Sequence, residues 1–329
     1  MKSVFITEYG GPEVVQFSSS STIPKITPEK ILVKVFAAGI NFMDIHTRQG
    51  KYVNSRTYDV ELPCTLGMEG AGEVVEVGKG VSQVKPGDRV AWCIAWGSYA
   101  EYATVPASQV VKIPDTISYE QAAASLFQGC TAHYLVNDVS NLTPGSSCLI
   151  HAGSGNIGRL LIQLAKTRGA RVLATASTQE KIAVAKRYGA DDAFLYQHGN
   201  FHQEVLAATE GLGVDTVFDS LGLQTLRSSF LSTRKKGLII NYGNVSGSVK
   251  NLDPLELGEH GSLFLTRPRL ADYMDSQKTI QRRADDIFNL LADNKLKIEI
   301  VAKYRLENVV KAHELIENRT LIGKAVVAI

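Results

Sequence analysis

No two cysteines of this chain stand close enough in sequence to share a metal or form a redox pair. Cys64, Cys93, Cys130 and Cys148 are scattered singly, without C-x-x-C spacing, which argues against a zinc knuckle and a disulfide framework. They read as small buried apolar residues. Also missing is any apolar run near the roughly 18 to 20 residues that cross a bilayer, and the start, MKSVFITEYGGPEV, lacks the apolar core and cleavage site of a secretory signal. A soluble cytoplasmic protein is the expectation. Charge of one sign is scarce too: 35 Lys+Arg face 33 Asp+Glu, a formal net of +2. With no long basic run, neither nucleic acid nor a membrane is suggested as partner. What is present is 329 residues, 44% hydrophobic and 21% charged, enough apolar material for one or two cores without metal or disulfide props.

The first third carries β-branched runs broken by Gly, Pro and Asp, among them ILVKVFAAG, GEVVEVG and DRVAW. These predict short strands and turns in an irregular β-rich domain. Within Pro86-Gly87-Asp88-Arg89-Val90, proline presets one turn angle, glycine takes the positive-φ position and valine opens a strand. From about 122 the pattern becomes strand, helix, strand: SSCLIH, IGRLLIQLAKTRG, RVLATA, QEKIAVAKRYG, AFLY, FHQEVLAATEG, VDTVFDS and GLIINYG. Such alternation predicts a parallel sheet covered on both faces. The tail, with helix QKTIQRRADDIFNLLADN, strand KLKIEIV, helix ENVVKAHELIENR and a last apolar segment, has too little apolar surface for a third domain and is expected to complete the first. The expected boundaries are 1–121 with 267–329 for the first domain and 122–266 for the second.

After SSCLIH the chain reads His151-Ala152-Gly153-Ser154-Gly155-Asn156-Ile157-Gly158 and opens into an amphipathic helix. A glycine-rich turn alone is weak evidence. Here strand, glycines, helix and second strand follow in register, so the backbone can approach a pyrophosphate and free N–H groups at the helix start favour an anion. Ser154, Gly155, Asn156 and Ile157 are the candidate contacts. NAD sites commonly place an acid at the end of the second strand, and none stands there. Ala176-Ser177-Thr178-Gln179-Glu180-Lys181 instead offers hydroxyls and a cation, which suits the 2′-phosphate of NADPH through Ser177, Thr178 and Lys181. A helix cap plus a surface lysine explains each residue singly but not the missing acid.

Taken together, Gly39-Ile40-Asn41-Phe42-Met43-Asp44, Arg48-Gln49-Gly50-Lys51-Tyr52, Gly67-Met68-Glu69-Gly70-Ala71-Gly72, Gly87-Asp88-Arg89-Val90, Gln121-Ala122-Ala123-Ala124, the Ala152-x-x-Gly155-x-x-Gly158 turn, Asp219-Ser220-x-Gly222, Gly243-Asn244 and Thr266-Arg267-Pro268 resemble the medium-chain dehydrogenases and reductases. Within them the resemblance is to the quinone oxidoreductase and zeta-crystallin branch, over essentially the whole chain. It implies an α/β protein with a GroES-like, irregular β-rich catalytic domain and a Rossmann cofactor domain built on a doubly wound parallel sheet. Zinc-dependent members carry Cys where Asn41 stands and His where Met68 stands, and neither replacement is a credible zinc ligand. No metal is therefore expected.

The resemblance further implies Asn41 and Tyr52 as the groups that polarise a substrate carbonyl by hydrogen bonds. It places Thr131 near the nicotinamide, Tyr196 with Lys181 at the 2′-phosphate, Ser220, Tyr242, Asn244 and Thr266 along the cofactor path, and Arg319 over the phosphate. Two departures bear on the substrate. His46 stands where many relatives carry tyrosine, and segment 53–61 is longer than usual and lacks the proline that commonly follows Tyr52. The expected reaction is NADPH-dependent reduction of a quinone or related conjugated carbonyl in a cleft between domains. One alternative is an enoyl or 2-alkenal reductase with Tyr52 as general acid; another is an NADPH-binding structural or RNA-associated protein with vestigial turnover. A homodimer joined through a continuous sheet is expected near GLIINYG and SLFLTRP.

Overall fold

The Gly- and Pro-punctuated runs of the first third fold as strands, two of them longer than expected at ten and nine residues, and the alternating middle folds as a parallel sheet with helices. The computed structural model describes residues 1–196, 200–318 and 320–329. First come β1 (Ser3–Ile6), β2 (Gln16–Ser18), β3 (Lys30–Gly39), α1 (Phe42–Arg48), β4 (Cys64–Thr65), β5 (Glu69–Val77), β6 (Arg89–Cys93), β7 (Tyr102–Pro106) and β8 (Val110–Lys112). Helix α2 (Tyr119–Tyr134) leads to β9 (Ser147–Ile150), α3 (Asn156–Thr167), β10 (Arg171–Ala176), α4 (Gln179–Arg187), β11 (Asp192–Leu195), α5 (Phe201–Ala208) and β12 (Val214–Asp219). There follow α6 (Leu226–Ser232), β13 (Thr233–Asn241), α7 (Pro254–Glu259), β14 (Phe264–Thr266), α8 (Gln277–Ala292), β15 (Ile300–Tyr304), α9 (Val309–Glu317) and β16 (Lys324–Ala328). The chain divides into two compact units, Met1–Cys130 with Met274–Ile329, and Thr131–Tyr273.

In the first unit, β15-β16-β3-β5-β6-β8 form one sheet, β7 also pairs with β3, and β2-β1-β4 form a small second sheet. Alternate residues of β3, Ile31, Val33 and Val35, turn inward with the period of two that a strand dictates. They pack against Val74, Val90, Trp92 and Val105. The Trp92 indole is wholly buried, and its N–H donates to the Ala95 carbonyl at 3.1 Å, so its polar tip is satisfied. At the predicted corner Gly87 has φ +89° and its amide donates to the Val74 carbonyl. One strand starts later than the sequence suggests. Residues 295–299 lie outside the strand: Asn294 takes φ +56° and the amides of Lys295 and Leu296 both turn back to the Leu290 carbonyl. That closure satisfies the end of α8 and delays β15 to Ile300.

In the second unit the parallel order is β11-β10-β9-β12-β13-β14. Helices α3 and α4 pack on each other and on β9 to β11, while α5 and α6 pack on each other and on β11 to β13. Helix α3 shows why: Leu160, Leu161, Leu164 and Ala165 recur at helical spacing and are all buried. Each leucine contributes about 1.5–3 kcal/mol by leaving water. Gly169, at φ +73°, then ends the turn in the left-handed region where a Cβ is strained. The strand order reverses direction between β9 and β12, the switch point at which open α/β sheets present ligand sites at their carboxyl ends. Among the described residues no helix is long and apolar enough to cross a membrane.

Candidate functional site

In the second unit the sequence-predicted cofactor residues gather at one edge. Ser154 and Gly155 follow β9, Ser177 follows β10, Tyr196 follows β11, Ser220 follows β12, Tyr242 and Asn244 follow β13, and Thr266 ends β14. Thr131 instead stands on α2, 7% exposed. Arg319 lies outside the described residues.

The turn after β9 is shaped by what it excludes. A Cβ on Gly158 would meet the Ala152 carbonyl at 2.3 Å, and one on Gly153 would meet the Ala174 Cβ at 2.8 Å. Ala152 itself takes φ +52°, a left-handed angle costing roughly 1–2 kcal/mol. Gly155 caps α3 with no side-chain hydrogen bond, so the cap residue itself does not occupy the amides that begin this helix. The Asn156 Oδ1 accepts from Arg159 at 2.5 Å, which ties that oxygen within the first turn of the helix. Beneath the turn, the buried His151 places Nδ1 2.8 Å from the Thr175 hydroxyl and Nε2 2.9 Å from the Ser229 hydroxyl. Burial holds its pKa below the ordinary histidine value. Asp219 accepts from the amides of Leu221 and Gly222 and from the Thr225 hydroxyl. These bonds tie the ends of β9, β10 and β12 together.

At the end of β10, the Tyr196 amide donates to the Ala176 carbonyl at 3.2 Å, so the chain leaving β11 lies beside Ser177. Thr178 caps α4, its hydroxyl accepting from the Lys181 amide at 3.3 Å. That leaves Ser177, Lys181 and Tyr196 as the candidate phosphate set. Burial raises the pKa of the Tyr242 hydroxyl, against the opposing influence of the neighbouring Ser220 side chain.

In the first unit the candidate residues sit on and after α1. Asp44 reaches back to the Asn41 amide at 2.8 Å and so closes the helix start. The same carboxylate accepts from the Met68 amide and the Tyr99 hydroxyl, each at 3.1 Å. Burial pushes its pKa up to about 7, against those hydrogen bonds and the charge of Lys324. On the other side of α1, the Tyr52 hydroxyl donates to Met43 Sδ at 2.9 Å and lies 3.3 Å from His46 Nδ1. Burial, aided by Lys51, lowers the His46 pKa to about 4, so its ring is neutral at pH 7.

The expectation that Asn41 orients an acceptor meets a side chain already engaged. Its amide nitrogen donates to Glu69 Oε2 at 2.8 Å, and its oxygen accepts from Lys324 Nζ at 2.8 Å and Gln128 Nε2 at 3.1 Å. Glu69 and Lys324, 0% and 1% exposed, pair at 2.9 Å, and Glu69 Oε1 accepts the Phe127 amide at 2.6 Å. A buried pair persists only when its remaining polar capacity is met in this way. A Cβ on Gly39 would strike both Glu69 Oε2 and the Ala123 carbonyl at 2.2 Å. Lys324 and Gln128 were not legible as partners of Asn41, being 283 and 87 residues away. The positions matching zinc ligands hold this engaged amide and the wholly buried thioether of Met68. Among the described residues no three His, Cys, Asp or Glu side chains gather as a metal site requires.

Residues 27–115 match the family described as alcohol dehydrogenase GroES-like domain, and residues 156–274 match the family described as zinc-binding dehydrogenase. A quinone oxidoreductase of Pseudomonas aeruginosa is 35% identical over 99% of this chain and 98% of its own. A 2-haloacrylate reductase of a Burkholderia species is 32% identical over 91% of this chain and 90% of its own. The crystal structure of Escherichia coli quinone oxidoreductase complexed with NADPH superposes with a TM-score of 0.94 at 32% identity, covering all of both chains.

Proposed function

We propose a reaction for a chain that belongs to the quinone oxidoreductase branch of the medium-chain dehydrogenases and reductases and is, with them, an NADPH-dependent oxidoreductase. The reaction is the zinc-independent reduction of a quinone or related conjugated carbonyl. Bound along the strand ends of the second unit, NADPH supplies the hydride. The observation that carries the reading is the placing of eight candidate residues at the carboxyl ends of six parallel strands, beside a glycine-built helix start, the arrangement that takes a pyrophosphate. Ser177, Lys181 and Tyr196 would hold the 2′-phosphate, where an NAD site would need an acid.

On the acceptor side, the Tyr52 hydroxyl turns from Met43 Sδ to donate to the acceptor oxygen and solvent supplies the net proton. Asn41 acts as a positioning residue, holding the start of α1 through Glu69 and Lys324. Zinc has no place in this scheme because an amide bound to three partners and a buried thioether are not its ligands. A quinone needs little electrophilic help, which suits a lone hydroxyl. The 2-haloacrylate reductase relative favours a second reading, an enone or enoyl substrate with Tyr52 protonating the α-carbon after hydride arrives. We also propose a homodimer across β14, an edge strand whose Phe264 is 63% exposed.

NADPH oxidation with phenanthrenequinone, para-benzoquinone, 1-octen-3-one and crotonyl-CoA, each repeated with NADH, tests the proposal. Quinone turnover with NADPH preferred is the expected result, and Lys181→Ala should weaken NADPH roughly tenfold or more while leaving NADH unchanged. Turnover of enones alone would replace the first reading by the second.

A further inference from the structure

Beneath the glycine turn runs a chain of hydrogen bonds whose direction its members fix. The Ser229 hydroxyl has one hydrogen to give, and two acceptors stand before it, the Thr225 carbonyl at 2.9 Å and Asp219 Oδ2 at 3.4 Å. Its oxygen is left to accept from His151, whose Nε2 lies 2.9 Å away. The ring hydrogen is thereby assigned to Nε2, and Nδ1 accepts from the Thr175 hydroxyl at 2.8 Å. Every bond then runs the same way, from β10 through the ring to α6 and the end of β12. Thr175, His151, Ser229, Thr225 and Asp219 are all wholly buried, and Phe201 meets the imidazole edge-on at 5.0 Å between centroids. A buried polar chain whose members are all satisfied is rigid and specifies one arrangement. Thr175 stands two residues before Ser177, and Asp219 stands directly before Ser220. The Asp219 carbonyl also accepts from the Tyr242 amide at 2.9 Å and from Asn241 Nδ2 at 3.3 Å, which carries the chain to the end of β13.

We propose that His151 is a positioning residue for NADPH: its ring sets the spacing between the ends of β10 and β12, so that Ser177 and Lys181 at one end of the cofactor and Ser220 and Tyr242 farther along it engage one molecule at once. This role rests on the cofactor placement proposed above. A ligand held at two anchors binds tightly only where the anchors match its span. An imidazole has no internal torsion, so it holds a separation that a flexible side chain would let vary, and the site is ordered before the cofactor arrives. A ligand that reaches only one anchor is indifferent to that separation.

The test compares NADPH, its binding read by fluorescence, with adenosine 2′,5′-bisphosphate, which carries the 2′-phosphate half alone and is read by calorimetry. His151→Phe deletes both bonds of the ring and should raise Kd for NADPH about tenfold while leaving Kd for the bisphosphate within about twofold. His151→Gln, whose amide can accept from Thr175 and donate to Ser229, should recover most of the affinity. Thr175→Val and Ser229→Ala each delete one bond with little change of shape and should raise Kd for NADPH about threefold, again sparing the bisphosphate. These two keep the test decisive if the phenylalanine variant does not fold. Equal losses with both ligands would mean that the bonds only hold the strands together, and would overturn the proposal. A glutamine variant no better than phenylalanine, or single-bond variants with wild-type affinity for NADPH, would do the same. If Lys181→Ala leaves bisphosphate binding unchanged, the assigned phosphate set falls, and the role of the ring stands as long as the two ligands still part. If Lys181→Ala weakens both ligands and the His151 variants do not separate them, the placement stands and the role of the ring falls.

Discussion

The turn after β9 and the helix after β3 offer two ways of building a site. The first is made of backbone: glycines whose missing Cβ atoms leave room, an alanine at φ +52°, and amides at the start of α3. Its parts lie within eight consecutive residues. The second is made of side chains, and its supports come from far along the chain, with Lys324 reaching Asn41 and Glu69 across 283 and 255 residues. A backbone site tolerates almost any neighbour but no added bulk. A side-chain site tolerates bulk at its edge but not the loss of a remote partner.

The largest effect should come from removing that partner. Lys324→Met leaves Glu69 charged and buried, and should cost about 3–5 kcal/mol in urea unfolding. Adding Glu69→Gln removes the stranded charge and should recover much of the loss; a single variant as stable as wild type would break the comparison. Gly158→Ala probes the other kind of site. Its methyl cannot coexist with the Ala152 carbonyl at 2.3 Å, so NADPH affinity, read by cofactor fluorescence, should fall on the order of a hundredfold. Retention of wild-type affinity would mean that the turn does not set the site. The smallest effect is in pH dependence. Burial, with the neighbouring Arg48, lowers the pKa of His313 from 6.5 to about 3. The unfolded chain therefore binds the proton that the native one refuses, and the stability from this group is complete above pH 6.5 and drains away as pH falls toward 3. Between pH 7.5 and 4.5, His313→Gln should lose on the order of 2 kcal/mol less than wild type. Identical losses would show that the histidine titrates normally.

The same division explains what could be read from the amino-acid order. The parallel sheet follows from local patterns such as apolar spacing in IGRLLIQLAK, and the cofactor from the glycines at 153, 155 and 158 and the absence of an acid after β10, whereas the family was reached by resemblance of motifs along the whole chain. Asn41 shows the limit. Its position was marked by motif, but its engagement with Lys324 and Gln128 belongs to tertiary packing, as do the contacts of Tyr58 with Tyr52. The late start of β15 failed for a smaller reason: alternation in KLKIEI resembles a strand until the end of α8 uses the amides of 295 and 296 for its own closure.

Gly39 carries a consequence for how such a chain can change. Its α-carbon stands where any substituent would collide with Glu69 Oε2 and the Ala123 carbonyl at 2.2 Å, and Glu69 is in turn tied to Lys324. A larger residue at 39 becomes admissible only after the carboxylate has shortened or moved, and the carboxylate is free to do so only when the lysine has lost its charge. Even then the Ala123 backbone carbonyl still stands 2.2 Å from any new Cβ, so glycine at 39 is the fixed member of the three, while positions 69 and 324 can change only as a pair.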